Sequence, residues 1–387
     1  MRVLGLVLWL CLAGATVVCA EDADPLHEGM ALLDTAERDR GVALLRRVIA
    51  EADAAPKDAA KQQRAGRAHM VLDEAKEAVA AMERARALEP GNVRYAFWAG
   101  AAWLGVDVDK SVAAFERATT LDPKDADAWF GLGRARDRKK DHAGAVTAFR
   151  KAVEIDPSYT DAYYRAGSAL EMLLRDEEAI AAYRKVLELE PTRASAGARI
   201  GWLEYEAGRF EKALEAWLSV EPHAPDDLEL HSEIVQALFA LGRYADADPW
   251  REKVRRIHAG AKDERTQRYT GYCIDRFVVD DLRVRVFEEY DRSPEALYHY
   301  IFEVTRDGKL LRRVNLEPGP VAPGLGIPGG DFFLGGNDEQ GHVTFDKRWK
   351  AEPPYPELKA AVIDAIRGKL AIKSSSGRSK KAGGEEK

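Results

Sequence analysis

Between about residues 25 and 260 the apolar residues recur three, four and seven positions apart, which is one face of an amphipathic helix. In 126–159 the apolar and small positions are Trp129, Leu132 and Gly133, then Ala145, Phe149 and Ala152, closed by Pro157. The arrangement returns in 160–193 as Tyr163, Ala166, Gly167, Ala179, Tyr183, Val186 and Pro191, and in 194–227 as Ile200, Gly201, Ala213, Trp217, Val220 and Pro225. Upstream, 59–92 carries Ala65, Gly66, Ala78, Met82, Ala85 and Pro90. Residues 93–125 carry Ala99, Gly100, Trp103, Phe115, Ala118 and Pro123, and are one residue short in their turn. The prolines at 90, 123, 157 and 191 stand 33, 34 and 34 residues apart.

Each phrase predicts a hairpin of two antiparallel helices. Gly133, Ala145 and Ala152 are small enough for two helices to approach closely, and Trp129, Leu132 and Phe149 fill the space around that contact. Pro157 cannot continue a helix, so the second one stops. Neither helix can bury its apolar face alone, so each hairpin must stack on the next. Two weaker copies flank the five clear ones. Residues 25–58 keep Leu32, Leu44, Val48 and Pro56 but lack the glycine; 228–261 keep Leu238, Ala247 and Val254 but have Ala259 in place of proline. Seven hairpins over 25–261 are predicted, the end copies acting as caps.

A large residue, Leu-Gly or its like, then Ala, an aromatic, Ala and Pro within 34 residues resembles the tetratricopeptide repeat family, most clearly over 59–227. The resemblance implies an all-α, right-handed superhelical solenoid. It also implies that the first helix of each hairpin lines an inner groove in which family members bind proteins or peptides. The lining positions place Arg67, Phe97, Phe130, Arg134, Tyr164, Trp202 and Tyr205 in that groove, with Arg165 one position away. An aromatic ladder with interleaved arginines suits an extended protein or peptide segment carrying an acidic group. The alternative is that the rings pack between neighbouring hairpins and the arginines are solvated. A clamp for a terminal carboxylate needs Asn in the first helices, and Asn92, Asn315 and Asn337 all fall outside them.

After Gly260 the 34-residue rhythm stops and β-branched and aromatic residues alternate. RYTGYCIDRFVVDD, LRVRVFEEYD, ALYHYIFEV and KLLRRVNLEP read as strands, with Arg306-Asp307-Gly308-Lys309 a hairpin turn between the last two. GPVAPGLGIPGGD is a Gly/Pro-rich loop, FFLG and HVTFD are short strand candidates, and PPYPELKAAVIDAIRGKL is an amphipathic helix with Leu358, Val362 and Ile366 on one face. Residues 262–370 are expected to form a small α+β domain on an antiparallel sheet. Residues 371–387 are expected to be a disordered tail.

Composition narrows the function. The chain is 46% apolar and 32% charged, ordinary for a folded protein, and its net charge of −7 argues against nucleic acid as a partner. At the N-terminus, Arg2 precedes the uncharged run Val3–Val18, then Val18-Cys19-Ala20 and Glu21-Asp22. This is the pattern of a secretory signal peptide over 1–20, cleaved before Glu21, which would place the protein in the periplasm or outside the cell. The run is short for a membrane span, and an uncleaved anchor is the alternative; a lipid on Cys19 is disfavoured by Val18. Once the leader is removed no stable membrane insertion is expected, and Cys273 is left as a lone thiol that cannot form an internal disulfide.

The expectation is an exported, non-enzymatic interaction scaffold with no cofactor and no metal. The competing expectation is an enzyme whose repeats bring a protein substrate to a catalytic C-terminal domain. His299, Asp331, Asp338 and His342 would be its candidates, although their spacing matches no ligand motif. GLGIPGGD lacks the Gly-Lys-Ser/Thr of a phosphate loop.

Overall fold

The computed structural model describes residues 24–260, 271–289, 300–307, 309–318, 332–338, 341–349, 353–367 and 372–373. Short polar side chains start many of its helices. Asp24, Asp58, Asn92, Asp107, Asp125, Asp141 and Asp227 each sit at an N-cap and accept a hydrogen bond from a backbone N–H of the first turn. Those caps, with the prolines that end the second helices, set the boundaries of the hairpins. The first three are α1 (Pro25–Leu32) with α2 (Arg38–Asp53), α3 (Ala59–Val71) with α4 (Ala75–Leu88), and α5 (Val93–Trp103) with α6 (Val108–Leu121). The next two are α7 (Ala126–Arg138) with α8 (His142–Ile155), and α9 (Thr160–Met172) with α10 (Asp176–Leu189). Two more follow: α11 (Ala194–Glu206) with α12 (Phe210–Val220), and α13 (Leu228–Ala240) with α14 (Tyr244–Gly260).

The repeated glycine marks the closest approach within a hairpin. A Cβ on Gly133 would lie 2.5 Å from Cε1 of Phe149, and one on Gly201 would lie 2.3 Å from Nε1 of Trp217. Phe149 and Trp217 are 0% and 1% exposed, so neither ring has room to retreat. The same pairing joins Gly66 to Met82, Gly100 to Phe115 and Gly167 to Tyr183, one pair per repeat. Gly133→Leu should therefore overpack the α7–α8 contact and cost about 1–3 kcal/mol. A thermal melt of the variant indistinguishable from that of the parent would refute this packing.

The turn inside the hairpin also has a register. Asp73, Lys140, Leu174, Gly208 and Gly242 have φ of 62°, 68°, 56°, 73° and 72°. The short repeat 93–125 has no such residue, because the position it lacks is this one. Leu174 is 86% exposed, so its side chain contributes no burial to offset a left-handed backbone. That conformation costs a non-glycine residue about 1–2 kcal/mol, against about 0.4–1 kcal/mol of extra unfolded-chain entropy for glycine. Leu174→Gly should raise the melting temperature slightly; a lowered one would show that the exposed leucine has a packing partner.

The chain divides into two compact units between Pro191 and Thr192. The first holds α1 to α10. The second joins the last two hairpins to the C-terminal sheet, so the boundary falls two hairpins earlier than the expected one near residue 261. The sheet is an antiparallel meander in which each strand pairs with the next: β1 (Gly271–Val279), β2 (Leu282–Glu289), β3 (Tyr300–Arg306), β4 (Lys309–Pro318), β5 (Phe332–Asp338), β6 (Gly341–Trp349) and β7 (Ile372–Lys373). Tyr272, Ile274, Val284, Val286, Phe302, Val304, Val314 and Leu316 form its buried face. Helix α15 (Tyr355–Ile366) follows β6, with Leu358 and Val362 fully buried.

A register shift between Cys273 and Asp275 lets Ile274 and Asp275 both turn inward. Asp275 there accepts hydrogen bonds from the Tyr355 hydroxyl (2.6 Å) and Lys359 Nζ (2.7 Å) of α15. Cys273 is a free thiol, pushed up in pKa by burial. The tail expected to be disordered begins with a structured pair: Ile372 and Lys373 form β7 against Phe345 and Thr344 of β6. The leader 1–20, the loop 319–331 and residues 374–387 lie outside the described residues.

Candidate peptide-binding groove

In the first unit the lining residues come from α3, α5, α7 and α9, and the structure sorts them into closed and open ones. Phe97 is 9% exposed and packs edge-on against Phe115 (centroids 5.6 Å) and Trp98 (5.4 Å). Phe130 is 6% exposed and lies between Phe149 (5.7 Å) and Tyr159 (4.8 Å). These two rings are parts of the hairpin cores and not rungs of an open ladder. The cause is the glycine contact. The large ring that fills the gap at Gly100 or Gly133 reaches under the lining residue of the same first helix and packs with it.

Tyr164 is half-buried, 5.2 Å from Tyr183, and keeps part of its ring accessible. Arg67 is half-buried with its guanidinium 4.9 Å from the Trp98 ring centre. Arg165 is exposed, and Arg134 is half-buried with its guanidinium 5.8 Å from the Phe130 ring centre.

Arg134 carries the unusual electrostatics. Burial, then the neighbouring charges of Arg165 and Arg138, push its pKa down to about 10, with Tyr159 and Asp161 opposing. Among the described residues neither Arg134 nor Arg165 makes an ion pair or a side-chain hydrogen bond. Other arginines nearby do: Arg136 with Glu116 at 2.9 Å and Arg150 with Glu178 at 2.7 Å. Asp161 is the carboxylate in its field, and a partly desolvated guanidinium that forms no ion pair favours an arriving anion.

Sequence reading missed Tyr159 and Asp127 at this site. The Tyr159 hydroxyl donates to Asp127 Oδ1 at 2.9 Å, and burial and that carboxylate push the phenol pKa up. Tyr159 sits in the loop between hairpins, where the periodicity of the helix face gives no signal.

In the second unit Trp202 is half-buried and Tyr205 is buried. The Arg276 guanidinium of β1 lies 5.0 Å from the Trp202 ring centre. Tyr205 is 7% exposed and packs against Phe210 (5.1 Å) and Trp217 (5.9 Å). Nearby, burial pushes the Glu233 carboxyl up to about 8; Glu229 and Asp227 add to the shift, while Arg276 and Arg199 oppose it. A raised carboxyl favours the folded state when protonated. That contribution is full below the ordinary carboxylate range and is lost as pH rises towards about 8. Glu233→Gln should therefore melt higher than the parent at pH 9 and show a flatter pH dependence between pH 5 and 9. Parallel melting curves for the two proteins would refute it.

His299 and Asp331, candidates for an enzymatic site, lie outside the described residues. Asp338 and His342 lie on β5 and β6, where their Cα partners are Gly341 and Asn337. Among the described residues no group of three or more His, Cys, Asp or Glu side chains is placed to hold a metal ion.

Two family models, both described as tetratricopeptide repeat, match the chain: one at residues 107–160 and 198–260, the other at 160–193. The segment 107–260 is built of tetratricopeptide repeats. Solved structures similar to the chain include MamA, at 21% identity, covering 41% of this chain and 94% of that one, with a TM-score of 0.40. YrrB, titled a TPR protein with an unusual peptide-binding site, is 21% identical over 47% of this chain and 95% of that one, with a TM-score of 0.41. Pseudomonas aeruginosa PilF is 13% identical over 55% of this chain and 95% of that one, with a TM-score of 0.43. No curated protein matches the chain.

Proposed function

We propose that this protein is an exported interaction scaffold that holds an acidic segment of a protein or peptide against α7 and α9, at Arg134, Arg165 and Tyr164. Tetratricopeptide repeats support the scaffold reading. The observation that carries the acidic ligand is Arg134: a half-buried guanidinium without an ion pair, its pKa lowered, beside a second unpaired arginine. The Tyr164 ring offers an apolar edge next to that charge. Export rests on Arg2 and the apolar run Val3–Val18, and no described helix is long and apolar enough to cross a membrane.

Binding is tested by fluorescence anisotropy with a labelled peptide of six consecutive glutamates and its glutamine counterpart. A hydrogen bond to a charged group is worth about 1.5–3 kcal/mol, so Arg134→Glu and Arg165→Glu should each weaken the glutamate peptide about tenfold or more. Added salt should weaken it as well. Equal binding of the two peptides, or of parent and charge-reversed variants with unchanged melts, overturns the acidic-ligand reading. Mass spectrometry of the protein recovered outside the cytoplasm tests export separately: a chain starting near Glu21 is expected, and one retaining Met1 refutes cleavage.

A further inference from the structure

We propose that α11 and α13 form a guanidinium-binding slot, and that the chain fills it in cis with Arg276 of β1. The slot has an aromatic wall and an acidic rim, the two features that recognise a planar cation. Trp202 is the wall, with the guanidinium 5.0 Å from its ring centre. Glu206 of α11 is on the rim, its Oε1 3.8 Å from Nη1 of Arg276. Helix α13 packs against β1, the strand that carries this arginine.

The arginine is aimed from behind. Its backbone N–H donates to Asp275 Oδ1 at 2.8 Å, and Asp275 is itself held by Tyr355 and Lys359. The side chain therefore enters the slot from a strand whose neighbour in sequence is locked to α15. The charge pattern along the first helices supports the assignment. On α7 and α9 the lining carries Arg134 and Arg165, which form no ion pair among the described residues, with Asp161 acting on Arg134 from a distance. On α11 Trp202 and Glu206 stand four residues apart, and the group seated against them is an arginine. A strand with an arginine is thus the ligand of the last two hairpins, already supplied by this chain. An outside acidic segment has its open place in the first unit.

The test uses the full chain and a small probe. Arg276→Ala should lower the melting temperature, and millimolar methylguanidinium should restore part of the loss with saturation. Methylammonium at the same concentration should not, and the parent protein should show no recovery step. Adding Trp202→Leu to Arg276→Ala should abolish the recovery. A recovery that is absent, unsaturable, equal with methylammonium, or retained without Trp202 overturns the slot. A second measurement stands independently of whether Arg276→Ala folds. Phenylglyoxal modification of Arg276, followed by mass spectrometry, should be slow in the parent and at least tenfold faster in Trp202→Leu. Equal rates overturn the proposal.

Discussion

Glu288→Ala should destabilise the second unit by about 3–5 kcal/mol, the range for removing one partner of a buried ion pair. Glu288 is 0% exposed near the end of β2. Its carboxylate accepts hydrogen bonds from Arg251 Nε at 2.8 Å, Arg255 Nη1 at 3.4 Å and the Tyr272 hydroxyl at 2.5 Å. Arg251, whose side chain is 16% exposed, also donates to the Tyr300 hydroxyl at 3.1 Å. Both arginines come from α14, so one carboxylate joins the last repeat helix to β2. Truncation would remove the buried partner of both guanidinium groups and leave them only Asp248, Glu252 and the Tyr300 hydroxyl. Because the chain has two units, a single unfolding transition cannot be assumed. The measurement is urea denaturation followed by hydrogen exchange on peptides spanning β1 and β2. Removing both charges together, as Arg251→Met with Glu288→Leu, should recover part of the loss, since well-packed apolar groups often replace a buried ion pair without penalty. Unchanged exchange in Glu288→Ala would show that the pair contributes nothing to the sheet.

Phe149→Ala should cost about 3–5 kcal/mol in the first unit, the usual range for deleting a buried aromatic ring. The ring is 0% exposed, fills the gap opposite Gly133 and meets Phe130 at 5.7 Å. Phe130→Ala should destabilise too, because that ring is 6% exposed and shares the same core. Its effect should not add to that of Phe149→Ala, since the two rings touch. Tyr164→Ala should be milder, its side chain being only half-buried. Thermal melts of the three variants decide the matter. A Phe130→Ala protein that melts like the parent would restore the open aromatic ladder and move the binding site towards that ring.

The repeat could be read directly from the chain. A hairpin's inner contacts join residues at a fixed separation within one repeat, as Gly133 with Phe149 and Gly201 with Trp217 do. A contact that recurs every 34 residues leaves the same residue types at the same interval, and the caps and stopping prolines are local signals. The strands after 270 were legible for a similar reason, since alternation is a property of neighbours.

The candidate site was only partly legible. Its arginines and aromatics stood at the lining positions, but helix periodicity cannot say whether a lining ring is open or packed against the second helix. The tertiary structure decided that Phe97 and Phe130 are core. It decided that Trp202 lies against an arginine from β1, and that the last two hairpins belong with the sheet. Those outcomes rest on contacts made once. Arg251 meets Glu288 across 37 residues, and Tyr355 meets Asp275 across 80. A contact with no period leaves no pattern in a single chain, because either partner alone reads as one more surface charge or strand aromatic. Folding alone brings the two together, with one partner, Glu288 or Asp275, almost wholly buried.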